Sequence, residues 1–283
     1  MAEDIFELKP GMYGLNVNIR ALLRRFASGG KKNPTLIVAE RFLSIFEDHG
    51  VAISQIPRLV PNLSLDQLQN PESLRPALTP EILRDTARLF QIKLSWLEGI
   101  TDQIYDYDFF YKDPWRFFDD FRKLNREDFF SPIAVFCSTT KLNYEGGRGQ
   151  LIVPVLREKC AQFGDNVIYR YHIYDEFDWG YQKCRIQLKA MVRILEKKLK
   201  VPVVPMYQIN KKILKGIESG RIVPRQYYGR EKTDPSLEDY SLSPEESAVS
   251  KEADELPIVL NYIKAYKLDD NEKISRLFKK RFF

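Results

Sequence analysis

At 283 residues, with 44% hydrophobic and 29% charged side chains, the chain has the balance of a globular protein and enough length for two modest domains. It holds no apolar run of about eighteen residues and no cationic-then-apolar leader, so neither a membrane span nor secretion is expected. The net charge of +5 leans towards a polyanionic partner, and Cys137, Cys160 and Cys184 lack metal-ligand or Cys-x-x-Cys spacing, as expected of a reduced, cytoplasmic protein. Residues 1–34 begin with a turn-rich lead punctuated by Pro10-Gly11. Val17 to Phe26 then places Ile19, Leu22, Leu23 and Phe26 on one helical face, and Ser28-Gly29-Gly30 breaks the chain. Arg20, Arg24, Arg25, Lys31 and Lys32 stand together without an acid among them. They read as a phosphate-contacting arm, or equally as the wet face of an amphipathic helix.

Residues 35–101 show five short helical patterns. The first, Ala39 to Gly50, carries Phe42, Ile45 and Phe46 at helical spacing and stops at glycine. The second is Ile53 to Val60 and the third Leu63 to Gln69, with Ser64 as a potential cap. Thr79-Pro-Glu81 opens a fourth, with a capping side chain, a first-turn proline and an acid at the positive pole. Its apolar face is Ile82, Leu83, Thr86, Leu89 and Phe90, and Leu94 to Gly99 forms the fifth. His49, beside Gly50 at the first helix's end, reads as a local cap.

This layout, and above all Ala87-Arg-Leu-Phe-Gln-Ile-Lys-Leu-Ser-Trp-Leu-Glu-Gly99, resembles the lambda-repressor/Cro-like helix-turn-helix domain over residues 39–99. The resemblance implies that the third helix enters a major groove and that the protein binds double-stranded DNA as a homodimer, its paired helices one DNA turn apart. Gln55, Gln67 and Gln69 then become base-edge candidates, while Arg20, Arg24, Arg25, Lys31, Lys32 and Arg58 become phosphate candidates. Two features depart from the family pattern. The third helix offers Asp66 and no cation, and Pro57 removes a backbone donor from the second.

Between 102 and 130, eleven aromatic residues from Tyr105 to Phe130 alternate with acids, which argues against base stacking. A packed connector is expected, with Asp113-Pro114 starting a helix whose Trp115, Phe118 and Phe121 face the second domain, a sister subunit or another protein partner. Residues 131–229 change periodicity. Ile133 to Cys137 and Gln150 to Leu156 read as strands, with Pro154 implying an edge or bulge, and Asn166 to Tyr174 alternates as the clearest strand of the chain. Helices are expected at Tyr181 to Leu199 and Ile209 to Glu218, with Val201 to Met206 extended between them. Residues 230–255 read as an acidic linker, and 256–283 as a basic helical tail. The fold expected is α+β: an all-helical helix-turn-helix domain, a mixed α+β domain for sensing or assembly, and a helical tail.

No Gly-x-Ser-x-Gly, His-Glu-x-x-His or phosphate loop occurs, and Tyr144 to Gly149 lacks the Gly-Lys-Ser/Thr ending. Neither cofactor, metal nor catalytic centre is expected. The function expected is a sequence-specific, DNA-binding transcriptional regulator. One alternative is a protein-interaction module that keeps the helix-turn-helix fold; another is a small-molecule enzyme or ligand-binding domain around Arg148, Tyr171, His172, Asp175 and Glu176.

Overall fold

The computed structural model describes residues 34–123, 133–138, 151–175, 177–199, 206–229 and 255–278, and the chain divides after Ile104 into two compact units. The fold is α+β. The basic arm, with Arg20, Arg24, Arg25, Lys31 and Lys32, lies outside the described residues, as do Arg148, Glu176 and the extended segment 201–205.

The first unit is helical. Helix α1 (Pro34–Asp48) buries Ala39, Phe42, Leu43, Ile45 and Phe46, and Gly50 takes a left-handed φ of 82° to end it. A 3-10 turn (Ile53–Gln55) runs into α2 (Ile56–Leu59). Pro57 falls in the first turn of α2, where an N–H has no intrahelical acceptor, so the loss of a donor expected there does not arise. The helix expected at 63–69 is absent. That segment is a chain of turns with Leu63 and Leu68 buried and Leu65 exposed. The helical turn comes later, as α3 (Pro71–Leu74) continued by a 3-10 turn (Arg75–Ala77). Asn70 Oδ1 caps it by accepting from Ser73 N at 2.8 Å. Helix α4 (Pro80–Phe90) starts on Thr79, whose Oγ1 accepts from Ile82 N, and α5 (Leu94–Leu97) follows.

Two contacts close this core. His49 is fully buried: its Nδ1 lies 2.7 Å from Ile45 O, a local contact at the helix end, and its ring packs at a tilt on Phe90 at 4.1 Å. Arg41 donates to Trp96 O (2.5 Å), Thr101 O (2.7 Å) and Asp102 Oδ1 (3.0 Å), with its guanidinium 5.3 Å from the Trp96 ring centre. One arginine on α1 thereby ties down the Trp96 carbonyl near the end of α5 and the Thr101 carbonyl just beyond it.

The second unit is built on a mixed sheet. Its strands are β1 (Tyr107–Asp108), β2 (Ile133–Cys137), β3 (Leu151–Phe163), β4 (Asn166–Tyr174), β5 (Phe177–Asp178) and β6 (Met206–Gln208). They run in the order β1-β4-β3-β2-β6, with β5 pairing β3 off that path. The pairs β1·β4 and β2·β6 are parallel; β3 is antiparallel to β2, β4 and β5. Pro154 sits inside β3 opposite Val135, where the other flank passes from β5, which ends at Ile152, to β4, which begins at Val155. A missing N–H is tolerated in that gap, and the irregularity of β3 lies instead between Lys159 and Ala161.

Helices α6 (Pro114–Lys123), α7 (Gln182–Lys197), α8 (Lys211–Glu218), α9 (Leu256–Ala265) and α10 (Asn271–Phe278) complete the unit. The main core joins one sheet face, with Ile133, Val135, Cys137, Ile152, Leu156 and Tyr174, to Phe117, Phe118 and Phe121 of α6, the apolar side of α7, and Val259 and Ile263 of α9. The aromatic connector is therefore largely core of this unit. Phe110, Phe117, Phe118 and Phe121 are buried, Tyr111 and Trp115 are partly exposed and Tyr107 and Phe109 half-exposed, while Phe129 and Phe130 lie outside the described residues. Gln187, buried within α7, accepts from Lys112 N and donates to Phe110 O, both at 2.8 Å, and so holds Lys112 in a left-handed turn at φ 69°. No helix among the described residues is long and apolar enough to cross a membrane.

Candidate functional site

The base-edge candidates are engaged with neighbouring residues of their own segments. Gln55 Oε1 accepts from Ala52 N at 3.0 Å. Gln67 Oε1 accepts from Ser64 N at 2.9 Å, Gln67 N donates to Ser64 Oγ at 3.4 Å, and Gln69 Nε2 donates to Asp66 Oδ1 at 3.3 Å. The segment 63–69 is thus a self-closed turn, not a helix that presents a row of side chains. Of the phosphate candidates, Arg58 is described and exposed on α2. Arg84 pairs with Glu81 at 2.6 Å and Arg88 with Asp85 at 3.1 Å. Hydrogen bonds from the Glu81 backbone and from Thr79, with Arg84 nearby, hold the Glu81 carboxyl below its usual range. Residues 34–104 hold six cationic and nine acidic side chains, a net charge of −3.

Of the ligand candidates of the second unit, Tyr171, His172 and Asp175 are among the described residues. Tyr171 and His172 are successive residues of β4 and project from opposite faces of the sheet. His172 Nε2 lies 3.4 Å from Glu158 Oε2, which also accepts from Arg170 Nε at 2.8 Å. Asp175 begins the turn after β4, where its N–H donates to Asp108 O at 2.8 Å. Its charge, after burial, helps push the Glu218 carboxyl up.

A buried charge cluster lies in the second unit with no local signature among its residues. Arg185 and Lys189 lie one turn apart on α7, 4% and 0% exposed, and both donate to the Glu255 carboxylate, Arg185 through Nη2 at 2.6 Å. Arg185 Nη1 also donates to Trp179 O, and the Lys189 ammonium lies 5.3 Å from the Trp179 ring centre. Burial pushes the Glu255 carboxyl up, but the two cations outweigh it and hold it below its usual range. This cluster fastens the start of α9 to α7 across about seventy residues of chain.

A second grouping lies on the sheet face opposite the main core. Tyr228, just after the 3-10 turn Pro224–Tyr227, packs against Phe136 (5.3 Å), Tyr207 (5.7 Å) and Tyr171 (5.9 Å). Arg157 stands 4.7 Å from the Tyr169 ring centre and 5.0 Å from that of Tyr228. The Tyr228 hydroxyl is buried with no hydrogen-bond partner among the described residues. Burial drives the Tyr171 and Tyr228 phenols well above their ordinary range, against the pull of Arg225 and Arg157 on Tyr171 and of Arg157 on Tyr228. Alternating tyrosines in β4 were the available signal; that Tyr207 and Tyr228 would join them depends on tertiary structure. Burial pushes the Cys160 thiol, on β3, up to about 12, so it stays a neutral thiol near neutral pH. Among the described residues no group of histidine, cysteine and carboxylate side chains is placed to hold a metal ion.

No family model, curated protein or solved structure matches this chain.

Proposed function

We propose that the helical unit is a helix-turn-helix-type module that recognises a protein rather than a base sequence, joined to an α+β domain for sensing or assembly. The observation that carries this reading is the segment 63–69. Where the resemblance expects a base-reading helix, the chain makes a turn whose glutamines bond locally and whose exposed groups include Leu65 and Asp66. From Leu59 to Leu74 there is no cation to meet a phosphate, and an exposed leucine beside acids suits a protein surface better than a groove. A cytoplasmic setting belongs to the same reading, supported by three free cysteines.

The test is selection of the intact protein against a random pool of duplex DNA. This reading expects no enriched sequence and no change on Gln67→Ala; an enriched palindrome whose binding is lost on Gln67→Ala would refute it. The second reading, a dimeric sequence-specific regulator, is favoured by the five cations between Arg20 and Lys32. It expects an Arg24→Ala/Arg25→Ala variant to weaken binding on every sequence and to flatten its salt dependence.

A further inference from the structure

The α+β unit carries a cationic surface with no counterpart among the described residues of the helical unit. Between Tyr207 and Gly229 stand Lys211, Lys212, Lys215, Arg221 and Arg225 against a single acid, Glu218, and all five cations are exposed. Helix α8 explains the arrangement. It packs across β2, β3 and β4 with Leu214 and Ile217 buried beneath it, so its lysines are left in water. Gly216 lets the chain turn back closely, since a Cβ there would stand 2.3 Å from Ile222 Cδ1. Arg221 N and Ile222 N both donate to Gly216 O, at 2.8 and 3.1 Å. The returning segment brings Arg225 close enough to Tyr171 to act on its phenol, and sets Tyr228 beside Arg157. Tyr169 and Tyr207 on this face, and Tyr227 in the turn just before Tyr228, are each partly exposed.

From this arrangement we propose that the face formed by α8, the 224–228 turn and the outer ends of β3 and β4 binds single-stranded nucleic acid. The cations follow the phosphates and the tyrosine rings stack on bases, which are accessible for stacking only where they are unpaired. A duplex would use the charges and leave the rings idle. This inference does not rest on what the helical unit recognises, since it uses none of that unit's residues.

Labelled oligothymidine, oligouridine and a duplex of mixed sequence are titrated with the full chain at low and moderate salt. Single strands bind more tightly than the duplex. The triple variant Lys211→Ala/Lys212→Ala/Arg225→Ala weakens binding about tenfold or more and flattens the log affinity against log salt slope by about 2, at roughly 0.7 per phosphate. Tyr227→Leu weakens single-strand binding about fivefold or more without changing that slope, and Tyr227→Phe restores it. Arg24→Ala/Arg25→Ala leaves single-strand binding intact. The proposal is overturned if single strands do not bind at low salt, or if the triple variant binds like the parent. It is equally overturned if duplex binds as tightly as single strand while Tyr227→Leu is silent. The thermal melt of the Lys211→Ala/Lys212→Ala/Arg225→Ala variant, whose side chains are exposed, stays with the parent.

Discussion

Among the described residues, the two units use their cations in different ways. In the helical unit Arg41 is turned inward onto carbonyls, Arg84 and Arg88 are matched by acids one turn away, and the described residues carry a net negative charge. The α+β unit encloses Arg185 and Lys189 around Glu255, yet leaves five cations exposed along α8 and the segment after it. The overall charge of +5 therefore says little about where a polyanion would bind. What matters is which cations are already committed to the fold. The helix-turn-helix resemblance draws attention to the first unit, while the exposed, aromatic-lined positive charge lies in the second.

Stability measurements can break this contrast. The largest effect is expected at Glu255, because Glu255→Gln removes the carboxylate charge to which the buried Arg185 and Lys189 both donate. We expect a loss of about 3 kcal/mol in urea unfolding of the intact chain, partly recovered when Lys189→Met removes one of the two cations. If Glu255→Gln were neutral, the cluster would not be holding the fold. Next comes Arg41→Ala, which strips the Trp96 and Thr101 carbonyls of a charged donor and should cost about 1.5–3 kcal/mol. A change confined to unfolding of the second unit would contradict that assignment.

A smaller effect is expected in alkali. Burial keeps the Tyr171, Tyr174 and Tyr228 phenols protonated beyond their ordinary value of 10.0. The unfolded chain releases those protons first, so their contribution is complete below about pH 10 and is lost as pH rises above it. Denaturant midpoints across that range should fall, and less steeply in Tyr228→Phe. Near neutral pH the same variant should be close to neutral, since it deletes a hydroxyl that has no partner among the described residues. The smallest change is expected from Lys211→Ala/Lys212→Ala, within about 0.5 kcal/mol. A large loss there would mean those lysines belong to the fold after all.

Long periodic segments were legible in the sequence. Helices α1 and α4 each present one face to a core, α7 and strand β4 form where expected but are buried on more than one side, and the Thr79-Pro-Glu start of α4 is capped as its residues indicate. The segment 63–69 misled because Leu63, Leu65 and Leu68 fit a short helix and a tight turn alike. Its neighbour Asn70-Pro-Glu72 carried the same start signal as Thr79-Pro-Glu81, and there the helical turn forms. Arg185 and Lys189 look like solvated helix positions until Glu255 arrives from far along the chain. Arg41 is equally unremarkable until Trp96 closes over it. The basic run after Tyr207 was present in the sequence, but only the packing of α8 shows that its cations remain outside while the tyrosines of β4 and Tyr228 gather beneath.

Gln187 has a consequence for engineering. Its amide gives the 110–112 segment one acceptor and one donor, as a neighbouring strand would, and so sustains a left-handed lysine where glycine is the unstrained choice. The turn is held by a side chain on another element rather than by its own residue preferences. Relaxing Lys112 to glycine would make the turn less dependent on that amide, so this position offers a way to alter the rigidity of the second unit without touching its cationic face.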